Sequence, residues 1–297
     1  MFNFSIGKDE FLSQFYEQDI YLERQAFEPE LNWQHINEVL HAMQPMCSYT
    51  RLHDGTKVIP QTEYTEPHLH VGLHSHRFIQ QALYKHLSAG STLIIDRMEI
   101  FSPKIKQYCD FLSGFTDQPV VANGYAAFGE KESFGNHWDT HDVFAVQLIG
   151  RKRWKVYAPT YLLPMPDQTS RARKQDCPSE PILDTYLNAG DILYVPRGWW
   201  HTAIPGNEET FHIAAGVHPA RLAHYATWIC QSMLTEHLSA RQSLSDHKNE
   251  RQHLEEMADC LKHLLLDQDN LHGFKRTLRE YNHVKPEFNL PEAVTSS

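Results

Sequence analysis

The chain has 297 residues, 41% of them hydrophobic and 22% charged, with a formal net charge of −10. This composition describes a folded globular protein, long enough for one large domain or two small ones, and excludes an intrinsically disordered chain. The acidic balance argues against non-specific binding to nucleic acid or an anionic membrane, and no apolar run approaches the roughly 20 residues needed to cross a bilayer.

Cys47, Cys109, Cys177, Cys230 and Cys260 are scattered, odd in number and form no Cys-x-x-Cys. Neither a disulfide framework nor a zinc ribbon is expected, and a reducing compartment fits. The opening MFNFSIGKDEF lacks a basic segment followed by a long apolar one, so a cytoplasmic location is expected. Histidine is over-represented, with 20 copies, more than one site can use.

In chain order, Phe11, Leu12, Phe15 and Tyr16 recur at helical spacing over 8–17. Residues 19–27 read as a short strand. Asn32 is placed to cap a helix over 33–43, with Pro45 after its end. Asp54-Gly55 between strand-like flanks predicts a hairpin. Residues 68–76 (HLHVGLHSH) hold four histidines but no Asp, Glu or Cys, and read as a solvated loop near the site mouth. A helix is expected over 76–88 with Gly90 beyond it, a strand over 92–95, a helix over 103–115 and a strand over 120–128.

From Val143 to Ile149 almost every residue is apolar, which suits a strand buried on both faces of a sandwich. Residues 150–152 read as a turn and 153–157 as a strand. The irregular stretch 160–179 reads as a lid or substrate loop. Strands follow over 183–187, 192–195 and 210–217. After Pro219 the pattern becomes helical over 222–240, 247–266 and 270–281, with Ser245 or Asp246 as a cap.

The chemistry is concentrated in residues 135–159, GNHWDTHDVFAVQLIGRKRWKVYAP. His137 and Asp139 are two apart, so on an extended strand both point to one face. Residues 190–201, GDILYVPRGWWH, end in His201. Two imidazoles and one carboxylate leave three positions of an octahedral ion open, the facial triad of non-haem Fe(II) oxygenases. Mixed His and carboxylate ligands also suit zinc, so a zinc hydrolase and a non-catalytic metal-binding cupin stand as alternatives. Trp138, Trp199, Trp200 and Tyr161 are aromatic candidates for the pocket mouth.

Short strands, a His-x-Asp, a long gap and a Gly-Asp strand ending in His resemble a cupin barrel. More narrowly, GNHWDTHDVFAVQLIGRKRWKVY and GDILYVPRGWWH, with FLSQFYEQDIYLER and AGSTLIIDRMEIFSP upstream, resemble the JmjC-type 2-oxoglutarate oxygenases, closest to the ribosomal oxygenase subgroup. The resemblance implies a mainly β fold with helical additions: a double-stranded β-helix core over residues 1–220 and a C-terminal helical region over 221–297 able to serve a homodimer. It implies Fe(II) on His137, Asp139 and His201. It also implies 2-oxoglutarate held by Lys152, thirteen residues after Asp139, with Tyr125 and Asn123 on the preceding strand. The activity implied is hydroxylation of a side chain of a protein or peptide, with no membrane or nucleic-acid partner; a small-molecule or tRNA-base hydroxylase of the same mechanism is the alternative. Two positions depart from relatives: His141, two residues after Asp139, is expected to line the pocket without binding metal, and His212-Ile213-Ala214-Ala215 lacks the usual Ser or Thr after its His. The winged-helix domain of the larger ribosomal oxygenases is not expected after Pro219.

Overall fold

The structure, a computed structural model, describes residues 1–43, 48–243 and 250–283. Pro45, Cys47, Ser245 and Asp246 lie outside them. The chain divides into two compact units, Met1–His218 and Pro219–Ser297. No helix among the described residues is long and apolar enough to cross a membrane.

Among the described residues the first unit carries thirteen strands: β1 (Tyr21–Glu23), β2 (Thr50–His53), β3 (Val58–Ile59), β4 (Thr65–His70), β5 (Leu73–Phe78), β6 (Thr92–Ile95), β7 (Val120–Ala127), β8 (Asp142–Ile149), β9 (Arg151–Tyr157), β10 (Leu183–Asn188), β11 (Ile192–Val195), β12 (Trp200–Pro205) and β13 (Thr210–Val217). An eight-stranded sheet runs β1-β11-β8-β13-β7-β6-β2-β3, and a three-stranded sheet runs β10-β9-β12. They face each other as an antiparallel jelly-roll. β8 explains its own sequence: Phe144 and Val146 pack into the main core, while Ala145 packs with Trp154, Val156, Leu187, Leu193 and Val195 between the sheets. Both faces are buried, so apolar side chains predominate in both alternate sets, with Gln147 the polar exception within the run.

The outer face of the large sheet is covered by α1 (Lys8–Gln14) and α4 (Pro103–Thr116). Phe11 meets Tyr194 edge-on at 4.9 Å, and Ile105, Tyr108 and Leu112 are buried with it. Burying each such side chain contributes roughly 1.5–3 kcal/mol. The caps follow the sequence. In α2 (Trp33–Ala42), Asn32 Oδ1 accepts from His35 N at 3.3 Å. In α4, Ser102 Oγ accepts from Ile105 N at 3.4 Å.

Several expectations are corrected. Residues 68–76 are not a loop: β4 and β5 form a separate two-stranded ribbon. Its turn is Val71-Gly72, both at positive φ, the geometry a tight hairpin favours. Consequently α3 (Gln80–Ser88) begins after residue 78. β9 begins at Arg151, so Lys152 sits within a strand rather than in a turn. The turn is made by Gly150, at φ +63°, where an added Cβ would lie 2.2 Å from Glu209 O.

The second unit contains α5 (Leu222–Ser232), α6 (Leu238–Arg241), α7 (Glu250–Leu266) and α8 (Gln268–His283). The helix expected over 222–240 is interrupted by a 3-10 turn at Leu234–Glu236. Tyr225, Ile229 and Phe274 form this unit's own buried cluster.

Candidate functional site

Two segments distant in sequence run side by side at one end of the jelly-roll. His137 and His201 form an isolated antiparallel bridge, with His137 N donating to His201 O at 3.1 Å and His201 N to His137 O at 2.8 Å. Gly198 N donates to Asp139 O at 3.1 Å. Gly198 is at φ +85°, and a Cβ there would fall 2.3 Å from Tyr161 O. Behind the bridge, Asp142 and Arg197 are both buried. Arg197 donates from its backbone N to Asp142 Oδ1 at 3.0 Å, and from its guanidinium to Asp142 Oδ2 at 3.0 Å and Glu17 Oε1 at 2.5 Å. That pair ties the start of β8 to the turn that delivers His201.

His137 and Asp139 were expected on a strand; they lie in an extended segment before β8, where only His137 makes a bridge. The two-residue alternation persists. His137 and Asp139 face the cavity, while Trp138 turns away and packs against Trp200 at 4.5 Å and Tyr161 at 5.9 Å. These three aromatic residues are therefore packing behind the site and not its mouth. Ser170 Oγ accepts from Trp138 N at 3.1 Å, and Trp138 Nε1 donates to Gln168 O at 3.3 Å. The segment expected as a lid thus braces the back of the site and contributes no residue to the described cavity lining.

One ligand atom from each of His137, Asp139 and His201 lies within 4.8 Å of the other two. Asp139 Oδ2 is 3.5 Å from His201 Nε2, and its Oδ1 is 4.0 Å from His137 Nε2. The Nδ1 of His137 bonds Gly135 O at 2.9 Å and that of His201 bonds Trp199 O at 3.0 Å. A carbonyl can only accept, so each Nδ1 carries a proton and Nε2 is the ring nitrogen turned toward Asp139. Burial, then the neighbouring His201, pushes the His137 imidazole down to about 4. Burial alone would raise the Asp139 carboxyl, but His201 and His137 hold it well below the usual carboxylate range. A neutral His137 imidazole and an anionic Asp139 carboxylate are protonation states that suit a divalent cation.

The triad opens into a cavity of about 530 Å³ between the two sheets. The β7 residues Val121, Asn123 and Tyr125 alternate into it, and Lys152 and Trp154 reach it from β9. Lys152 is 2% exposed. Its Nζ is 3.0 Å from Nδ1 of buried His212, and no ion pair engages it among the described residues. Burial drives its ammonium down to about 7, and burial with the Lys152 charge drives His212 well below its ordinary value. The Tyr125 ring stacks on His212 at 4.9 Å, and burial raises its phenol. Asn123 lies on the same face, but its Oδ1 already accepts from Arg97 N at 3.0 Å.

The structure also brings forward residues that sequence reasoning passed over. Arg51, Asp96 and Arg97 line one wall. His141, which was expected in the pocket, lines the cavity and stacks on His218 at 4.9 Å. No sequence signal marked the arginines, whose proximity depends on β2 and β6 pairing. The β4–β5 ribbon supplies nothing to the described lining.

Comparison with known proteins agrees with this geometry. Residues 96–225 match the JmjC domain family. The chain is 30% identical over 178 residues to a Drosophila mojavensis protein named bifunctional lysine-specific demethylase and histidyl-hydroxylase NO66, a match covering 58% of this chain and 20% of that protein. The Brugia malayi protein of the same name is 31% identical over 141 residues, covering 46% and 20%. The matched stretches thus span about a fifth of these relatives' length. Among solved structures, YcfD, a ribosomal oxygenase from Escherichia coli in complex with cobalt and 2-oxoglutarate, superposes with a TM-score of 0.60 at 17% identity, covering 91% of this chain and 70% of that one. At that identity the likeness is one of fold. YcfD with cobalt and succinic acid gives a TM-score of 0.58 at 18% identity, covering 88% and 68%.

Proposed function

We propose that this chain, whose residues 96–225 form a JmjC domain, is an Fe(II)- and 2-oxoglutarate-dependent dioxygenase that hydroxylates a side chain of a protein or peptide. The observation that carries the proposal is the pairing, in one cavity, of the His137–Asp139–His201 cluster with a buried lysine that has no carboxylate partner among the described residues. A buried ammonium without a counter-charge is costly unless an anion arrives to meet it. The zinc hydrolase and the simple metal-binding cupin give Lys152 no such role.

Bound together, iron and 2-oxoglutarate supply O2 activation and attack on an unactivated C–H bond, with release of succinate and CO2. The chain supplies geometry. His137 and His201 would hold the ion through Nε2, because Gly135 O and Trp199 O engage their Nδ1 protons. Asp139 provides the anionic ligand. Lys152 and Tyr125 would hold the distal carboxylate, and neutral His212 keeps the ammonium in place. Phe134, Val143 and Trp154 keep the walls apolar.

The printed names of the relatives and of the fold neighbour support a protein substrate, and the free thiols of Cys177, Cys230 and Cys260 support a reducing, cytoplasmic setting. Exposed Leu222, Leu238, Leu254 and Leu266 on the second unit support a homodimer, which sedimentation tests. The substrate test is incubation of the iron-loaded protein with 2-oxoglutarate and lysate from its own cells, followed by a search for peptides heavier by one oxygen. Product confined to small metabolites overturns the protein-substrate reading.

A further inference from the structure

The cavity has no carboxylate to spare for a cationic substrate. Among the described residues two carboxylates line it, Asp96 and Asp139. Asp139 belongs to the triad. Both oxygens of Asp96 accept from Arg51, one from Nε at 2.7 Å and the other from Nη2 at 2.6 Å. A lysine or arginine side chain entering here would be desolvated without a counter-charge.

Arg97, on the same wall, is arranged in the opposite sense. Its backbone is left-handed, at φ 55° and ψ 44°, a conformation disfavoured for a long side chain and kept only where neighbours enforce it. Two bonds enforce it. Arg97 N donates to Asn123 Oδ1 at 3.0 Å, and Arg97 Nε donates to Glu99 Oε1 at 2.6 Å. Glu99 is buried, and its other oxygen accepts from Ala122 N at 3.0 Å. The anion of the pair is therefore turned into the sheet and the cation toward the cavity. The Arg97 side chain is 40% exposed, and its Nη amines have no partner among the described residues. Nearby, Gly216 keeps the cavity open beneath His141 and His218: a Cβ there would lie 2.5 Å from His141 Cδ2.

We infer that Arg97 receives a carboxylate of the substrate, and that the accepted peptide carries an aspartyl or glutamyl side chain at or beside the hydroxylated residue. Two Nη amines held in a fixed plane match a carboxylate in bidentate geometry. The inference rests on the oxygenase reading above and names the substrate class for that site. The same chemistry is offered by a free peptide C-terminus, so the experiment separates the two sources.

The test uses the full chain and N-acetylated, C-amidated peptide pools with degenerate flanks and a central Asp, Asn, Lys or Leu. A further Leu pool has a free C-terminus. Succinate formation is read relative to the peptide-free rate of the same variant, and binding is read separately by fluorescence anisotropy. The Asp pool is expected to stimulate succinate and to bind roughly tenfold more tightly than the Lys pool. In Arg97→Glu the order of Asp and Lys inverts. In the double variant R97Q/E99Q, which keeps a neutral hydrogen-bonded pair in place of the ion pair, Asp falls level with Asn. A Lys pool that matches Asp in the wild type, an unchanged ranking in Arg97→Glu, preference confined to the free C-terminus, or no binding by any pool overturns the inference. Absence of succinate in the wild type without peptide counts against the oxygenase reading instead, and the anisotropy ranking still decides the role of Arg97.

Discussion

His137 and His201 hold one another by their backbones, each N–H donating to the other's carbonyl at 3.1 and 2.8 Å. The proposed metal cluster is therefore built on a closed pair of main-chain hydrogen bonds, and its geometry depends on whatever keeps the two segments in register.

Gly198 is one such element. Its left-handed φ and the close approach of Tyr161 O leave no room for a side chain. Gly198→Ala is expected to destabilise the fold by about 2 kcal/mol or more and to weaken metal binding by displacing His201. Urea unfolding and Mn(II) titration check this. Full metal affinity in the variant would contradict it.

The buried Asp142–Arg197 pair is another. Asp142→Ala leaves Arg197 buried against Glu17 alone and is expected to cost about 3–5 kcal/mol. Asp142→Leu combined with Arg197→Met removes both charges and is expected to recover most of that loss. Equal destabilisation of the single and double variants in urea would show that charge burial is not the operative term.

Lys152→Met removes an unpaired buried ammonium. The ligand-free protein is expected to gain roughly 1–4 kcal/mol while its affinity for 2-oxoglutarate falls at least about a hundredfold. Thermal unfolding and calorimetry read the two effects separately. The gain is largest below pH 7. The folded lysine titrates at about 7 and an unfolded one near ~10.4, so the unfolded wild type binds the extra proton across that window and wild-type stability rises with pH. A loss of stability in Lys152→Met would contradict the account.

The same lysine gives 2-oxoglutarate binding a pH dependence. The protonated form pairs with the anion, and a bound carboxylate holds the proton on. Affinity is expected to be level below pH 7, where the free lysine is already protonated given its value of about 7. Above that it falls by up to about tenfold per pH unit, with uptake of a proton. Calorimetry in two buffers of different ionisation enthalpy measures that uptake. A flat affinity from about pH 6 to about pH 9 would contradict it.

The sequence made the triad legible because residues i and i+2 share a face in any extended segment, strand or not, and because Gly190 to His201 reads as a strand, a break and a ligand. The β8 core was legible from its apolar run, interrupted by Gln147 alone between Val143 and Ile149. Lys152 was harder to read. Flanked by Arg151 and Arg153, it resembles a solvated turn, and only the alternation of β9 turns it inward while its neighbours face out. The Arg51–Asp96 pair was not legible, because it is set by the pairing of β2 with β6, distant in the chain. The Arg97–Glu99 pair, two residues apart, was not legible because it depends on the left-handed backbone at Arg97, which no period in the sequence marks. The histidine ribbon was misread because a Gly at the centre of a short run signals a loop and a tight hairpin equally.

The measurement that bears most directly on the central claim is release of succinate from 2-oxoglutarate by the purified chain. The account predicts turnover that requires Fe(II) and O2, is abolished in Asp139→Ala, and in Lys152→Ala is lost at low 2-oxoglutarate and partly regained at high concentration. Succinate formation that persists without the Asp139 carboxylate, or no 2-oxoglutarate binding by the metal-loaded wild type, would contradict it.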